Sequence, residues 1–176
     1  MCIRDRARAV SVWNDESGLA LNRLTSGRIK TLADIEKTST RENAVEIALD
    51  TYAAQHDELN PESQATSRKL TVEALKSEKT SVAKAGMESA GALFWRFNKS
   101  ERKTILIQLM EWARNKSAPA NIRDAALRVM GALYFHLEME EKDTIIGDLR
   151  LISGKYNPEP LRDLLDRIDQ AKEENK

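Results

Sequence analysis

Ala85-Gly86-Met87-Glu88-Ser89-Ala90-Gly91-Ala92-Leu93-Phe94-Trp95 recurs forty residues later as Ala125-Ala126-Leu127-Arg128-Val129-Met130-Gly131-Ala132-Leu133-Tyr134-Phe135. Both stretches open on small residues and close on Gly-Ala-Leu followed by two aromatics. Self-similarity at a fixed period of this length points to a helical-repeat architecture. Working outward, Ile122-Arg123 returns as Leu161-Arg162 at a spacing of 39, and Arg41, Ala44 and Ile47 form a weaker copy. Val72, Trp112 and Ile152 step by forty as well.

Each repeat reads as two helices. Asn60-Pro61-Glu62 places an N-cap and a first-turn proline before Leu70, Val72 and Leu75. Asn98 with Glu101 forms a capping box that opens Ile105, Leu106, Leu109 and Trp112 at helical spacing. Second helices are expected after Ser39 with Glu42, after Lys79-Thr80-Ser81, after Ser117-Ala118-Pro119 and after Asn157-Pro158-Glu159-Pro160. The expectation is therefore an all-α chain of four helical hairpins at about 16–56, 60–97, 98–137 and 138–172, preceded by a helix fragment near 7–13 and followed by a polar tail, 173–176.

At 100° per residue, Ile122, Ala125, Ala126, Val129, Met130 and Leu133 share one side of a helix, and Asp124, Arg128 and Gly131 the other. Small residues at Ala125 and Ala126 let a neighbouring helix approach closely, while Trp112, Tyr134, Phe94 and Trp95 are expected to fill space between repeats. One hairpin cannot bury such a face alone. Stacking at 8–10 Å between helix axes does, and it leaves long exposed surfaces.

Ile122-Arg123-Asp124-Ala125-Ala126-Leu127-Arg128-Val129-Met130-Gly131-Ala132-Leu133 resembles the second-helix pattern of the HEAT-like (armadillo-type) repeat family: an aliphatic, Arg, any residue, two small residues, then aliphatics, Gly and a closing Leu. Val82 to Leu93 repeats it with Ala83 in place of Arg, and the outer two copies depart further, at Thr40, Leu49, Asp169 and Gln170. Asp169, expected on the inward side, suits a terminal repeat with no neighbour. The resemblance covers about residues 27–170 and implies an α-solenoid with a period of about forty. Activity does not follow from it, because the family includes scaffolds, adaptors, transport receptors and a few enzymes.

Composition narrows the function classes. Twenty-eight basic and 28 acidic residues leave no net charge to draw the chain onto a polyanion. No apolar run reaches the ~18 residues that a membrane span needs. Met1 to Arg6 resembles the translation of a sequencing adaptor and is expected to be a non-native scar, so that residues 7–172 carry the fold, the natural N-terminus lies upstream and the only cysteine, Cys2, is foreign. Without it there is no disulfide, thiolate nucleophile or cysteine-based metal site. The compartment then stays open, with a lean towards the cytoplasm.

The candidate site residues follow from the hairpin register. On the outward side of the second helices, Glu42, Glu46, Lys84, Glu88, Asp124, Arg128, Asp163 and Arg167 mix both signs, which suits a specific protein partner better than a polyanion. Read blandly, this is an ordinary solvated face. Lys37, Lys76, Lys116 and Lys155 recur at 39, 40 and 39 near the ends of first helices, and form either a phosphate-binding ridge or four separate contacts with helix C-termini. His56 and His136 end second helices two repeats apart, about 20 Å by the usual packing distance, too far to share a metal or a proton. Phosphate-binding glycine loops, zinc-helix motifs and calcium loops are absent from the sequence.

These observations lead to the expectation of a C-terminal fragment of a repeat protein acting as a non-catalytic scaffold or adaptor, with a protein partner and with no cofactor, catalytic residue or metal. Two other readings stay open. One is nucleic-acid or phosphate binding along the lysine series. The other, implied by the resemblance alone, is an accessory role in a HEAT-like lyase that handles a pigment or prosthetic group.

Overall fold

Asn60 and Asn98 open helices in the way their neighbours dictate. The Asn60 side chain accepts the Ser63 N–H at 2.9 Å with Pro61 at the first helical position. Asn98 accepts from Glu101 N at 3.0 Å, and Glu101 accepts from Asn98 N at 2.9 Å, a reciprocal box that satisfies two otherwise orphaned donors. The computed structural model describes residues 17–38, 43–153 and 158–173. Among these there are helices and short turns and no strand. The helices are α1 (17–25), α2 (Leu32–Thr38), α3 (Ala44–Ala54), α4 (Pro61–Leu75), α5 (Thr80–Leu93), α6 (Lys99–Arg114), α7 (Ala120–Tyr134), α8 (Met139–Ser153) and α9 (Glu159–Glu173). The adaptor-like residues 1–6, the expected fragment at 7–13, the start signals Ser39 and Asn157, and the end of the tail lie outside the described residues, as do Glu42 and Lys155.

The chain divides into two compact units, one ending at Leu93 and the other beginning at Phe94. In the first, α4 packs on α5, α3 on α5 and α2 on α3. Its core holds Leu24, Ile29, Ile35, Val45, Leu49, Tyr52, Leu70 and Ala74. The Tyr52 hydroxyl donates to the Ala20 carbonyl at 3.2 Å, and burial pushes its pKa far above the ordinary phenol range. The expected two-helix hairpin at 16–56 is in fact three helices. Arg28 N–H bonds Arg23 O and Gly27 N–H bonds Leu24 O, both at 3.0 Å, with Gly27 at φ 70°. This Schellman stop requires the left-handed conformation that glycine adopts without strain. Thr31 and Asp34 then cap α2: Asp34 accepts from the Lys30 and Thr31 backbone N–H groups, which hold its carboxyl below the ordinary range.

In the second unit α6 packs on α7 and α8 on α9, while first helix meets first helix (α6, α8) and second meets second (α7, α9). The sequence period reappears as repeated contacts. Phe94 and Trp95 meet edge to face at 5.1 Å and 87°, and Tyr134 and Phe135 do so at 5.3 Å and 81°. Arg102 lies 5.8 and 5.4 Å from the Phe94 and Trp95 rings; Lys142, forty residues on, lies 5.7 Å from Tyr134. The cap recurs as well, since Glu141 accepts from Glu138 N at 3.1 Å as Glu101 does from Asn98 N.

Burial corrects the inward side drawn from helical angle alone. On α7, Ile122, Ala125, Ala126, Met130 and Leu133 are buried as expected, but Val129 is only half-buried and Leu127 is fully buried. α7 packs on both α6 and α9, and its buried arc takes in Leu127 while leaving Val129 half in solvent. Trp95 is 50% exposed while Phe94 is buried, because the chain tightens to a 3-10 turn at Phe94–Arg96. Asp169 is exposed and pairs with Arg150 at 3.0 Å rather than facing inward. The inward side of α9 is carried by Leu161, Leu164 and Ile168.

Candidate interaction surface

Second helices place the mixed-charge residues. In the first unit, Lys84 and Glu88 on α5 are exposed and 3.7 Å apart, one helical turn along the same face. Glu46 on α3 is half-buried, with its Oε2 shielded from solvent and without a hydrogen-bond partner. Close by is Asp50, which sequence reasoning passed over although it stands one turn after Glu46. Although the Asp50 side chain reaches solvent, shielding of its carboxyl by the surrounding packing, and then the charges of Glu88 and Glu46, push it above the ordinary range. The mixed-charge residues of the first unit thus gain a further carboxylate that the sequence pattern did not single out.

That crowding sets a pH dependence. A carboxyl with a raised pKa in the folded state disfavours folding once it ionises, so this contribution lowers stability as pH rises through the carboxyl range. Asp50→Asn is expected to stabilise the protein modestly at neutral pH, because the exposed position screens the repulsion. The gain should fade towards about pH 3, where the wild-type group is protonated too. Urea unfolding of both proteins at the two pH values checks this; an equal gain at both would remove the charge explanation.

In the second unit, Arg128 on α7 and Asp163 on α9 are exposed, whereas Asp124 is half-buried. Arg167 is exposed in area, but its guanidinium lies 4.6 Å from the centre of the Phe135 ring. It therefore packs against its own unit as well as facing solvent. Gly131, expected on the outer side, faces Leu164 of α9, whose methyl groups would lie 3.9 Å from an added Cβ. Glu42 falls outside the described residues.

The lysine series is set out differently. Lys37 is in the last turn of α2, Lys76 caps the end of α4 and Lys116 follows α6, all exposed, with Lys155 outside the described residues. Each described member stands at a first-helix C-terminus, where a cation meets the negative end of the helix dipole. His56 is buried in the 3-10 turn after α3, with its Nε2 3.5 Å from the Arg68 guanidinium, and His136 is exposed. Among the described residues no group of three or more His, Cys, Asp or Glu could hold a metal ion. No helix there is long and apolar enough to cross a membrane.

One ion-pair network had no counterpart in the sequence reading. Arg102 on α6 donates from Nε to Glu141 at 3.0 Å and from a terminal nitrogen to Glu138 at 3.2 Å. Glu141 is 6% exposed, so this pair is nearly desolvated, and it joins α6 to α8 beside the Phe94 and Trp95 rings. Lys99 and Glu140 pair at 2.8 Å nearby. Glu141 stands forty residues after the cap residue Glu101, but its charge partner 39 residues away leaves no local mark in the sequence. Compared with known protein families, characterised proteins and solved structures, the chain matches none.

Proposed function

We propose that the chain is a stretch of HEAT-like α-solenoid that serves as a non-catalytic protein-interaction scaffold, binding its partner through mixed-charge residues of the second helices. The observation that supports this reading is the forty-residue recurrence of one set of contacts: cap, edge-to-face ring pair and overlying cation. Packing of second helix on second helix within each unit accords with it. Repeat architectures of this kind work by presenting surface. The residues assigned to contact are Glu46, Lys84, Glu88, Asp124, Arg128, Asp163 and Arg167, together with Glu42.

The test separates these residues from the lysine series. Lys84→Glu with Arg128→Glu reverses two exposed cations, and leaves alone Arg167, which packs over the Phe135 ring. Bound proteins captured from a lysate and identified by mass spectrometry should be lost in this variant and kept in Lys37→Glu with Lys76→Glu and Lys116→Glu. The opposite pattern, with retention of duplex DNA that falls steeply with salt, would replace the protein scaffold by a phosphate-binding surface.

A further inference from the structure

On the opposite, first-helix side of the second unit, α6 carries an apolar side chain in an exposed row. Lys103, Ile107 and Glu111 follow one another at steps of four and are all exposed, Ile107 at 43%. Ile107 borders a shallow groove of about 130 Å³ between α6 and α8, with Leu106, Met110 and Ile145 in its lining. Those three are almost fully buried, so their surfaces form an apolar floor. The rim carries Glu111 and the Arg114–Asp148 ion pair. Gln108 donates to Glu111 and steadies its carboxylate on this face.

We propose that this row is a self-association surface on which a second copy of the chain docks its α6 antiparallel about a two-fold axis through Ile107. The argument is one of charge and register. In a two-fold contact residue 107−k meets residue 107+k of the other copy, so each Lys103 faces the other copy's Glu111. Both lie about 6 Å along the helix from Ile107, by the 1.5 Å rise per residue. The two isoleucines meet at the centre, above grooves whose space is about that of four waters and whose apolar floor lies within a charged rim. Attraction at both ends and an apolar contact between them is the arrangement that a single helix face needs to pair with itself. A parallel arrangement would set Lys103 against Lys103 and Glu111 against Glu111. Because the contact is essentially one helix wide, the dimer is weak and depends on concentration. This proposal uses neither the mixed-charge residues of the second helices nor the lysine series, and stands or falls apart from them.

Sedimentation velocity over a concentration series at low ionic strength tests it. The mass of the full chain should rise from 19.9 kDa towards twice that value. Lys103→Glu alone and Glu111→Lys alone each turn two attractive pairs into two repulsive ones, and each should weaken association about tenfold or more. An equimolar mixture of the two single variants restores opposite charges at both ends and should dimerise again, as should the double reversal in one chain. Ile107→Glu should abolish association, with unchanged circular dichroism showing that the exposed substitution leaves the fold intact. A wild-type chain that stays at 19.9 kDa throughout, or a mixture no better associated than the single variants, overturns the proposal.

Discussion

Gly86→Ala is expected to destabilise the protein by about 2 kcal/mol, and Gly86→Val by more. A Cβ on Gly86 would lie 2.7 Å from the Leu75 backbone nitrogen and 2.9 Å from both the Ala74 carbonyl carbon and its Cβ. Those are main-chain and near-main-chain atoms of α4, which cannot rotate aside, so α5 has to move away from it. Overpacking of this kind costs about 1–3 kcal/mol and sometimes more. The better helix propensity of Ala returns only about 1 kcal/mol. Gly147→Ala in α8 is the control: an added Cβ there meets nothing within 4 Å, so the propensity gain should appear alone. Ala126, the repeat equivalent of Gly86, is fully buried with its methyl accommodated, so the period is not strict in its packing distances. Chemical denaturation of the three variants reads the result; a Gly86→Ala protein at least as stable as wild type would mean that the α4–α5 approach is not as close as described.

Leu127→Ala and Leu133→Ala should each lose about 2–5 kcal/mol, since both side chains are at most 5% exposed and their truncation leaves a cavity. Val129→Ala should lose less, because that side chain is already half in solvent. Glu88→Ala on the outer face of α5 should stay within about 0.5 kcal/mol of wild type. Leu127 is the informative position. Helical angle alone leaves it off the inward stripe, whereas in the fold, where α7 packs on both α6 and α9, it is fully buried. A neutral Leu127→Ala beside a costly Leu133→Ala would restore the narrower stripe. Urea midpoints at constant m-value decide between the two.

The recurrence of contacts also explains why aromatic pairs sit at the ends of α5 and α7. Arg102 and Lys142 occupy the same repeat position; Arg102 lies over both Phe94 and Trp95 and Lys142 over Tyr134, yet only Arg102 also reaches a buried carboxylate. Its planar guanidinium can face a ring and pair with Glu141 at the same time, a combination a lysine ammonium provides less well. Arg102 thus couples the start of α6 to the start of α8.

By itself the sequence determined that the described residues are helical, without strands, and where most of those helices begin. Those properties are local. Asn60 before Pro61, the Asn98 box with Glu101 and apolar residues at helical spacing act within one or two turns of backbone, so neighbouring residues suffice to read them. The break between α1 and α2 rests on local signals of the same kind, Ser26-Gly27 and Thr31 with Asp34, which the forty-residue period does not mark. Tertiary structure alone decided which residues face which neighbour. Gly86 matters because α4 passes within contact of it; Asp50 matters because the packing around it shields its carboxyl and Glu88 approaches from another helix; Trp95 turns outward beside Phe94, and Arg102 finds Glu141 across 39 residues. Periodicity gives the angle of a side chain about its own helix axis, but burial, charge pairing and close approach depend on how many helices cover that angle and at what distance.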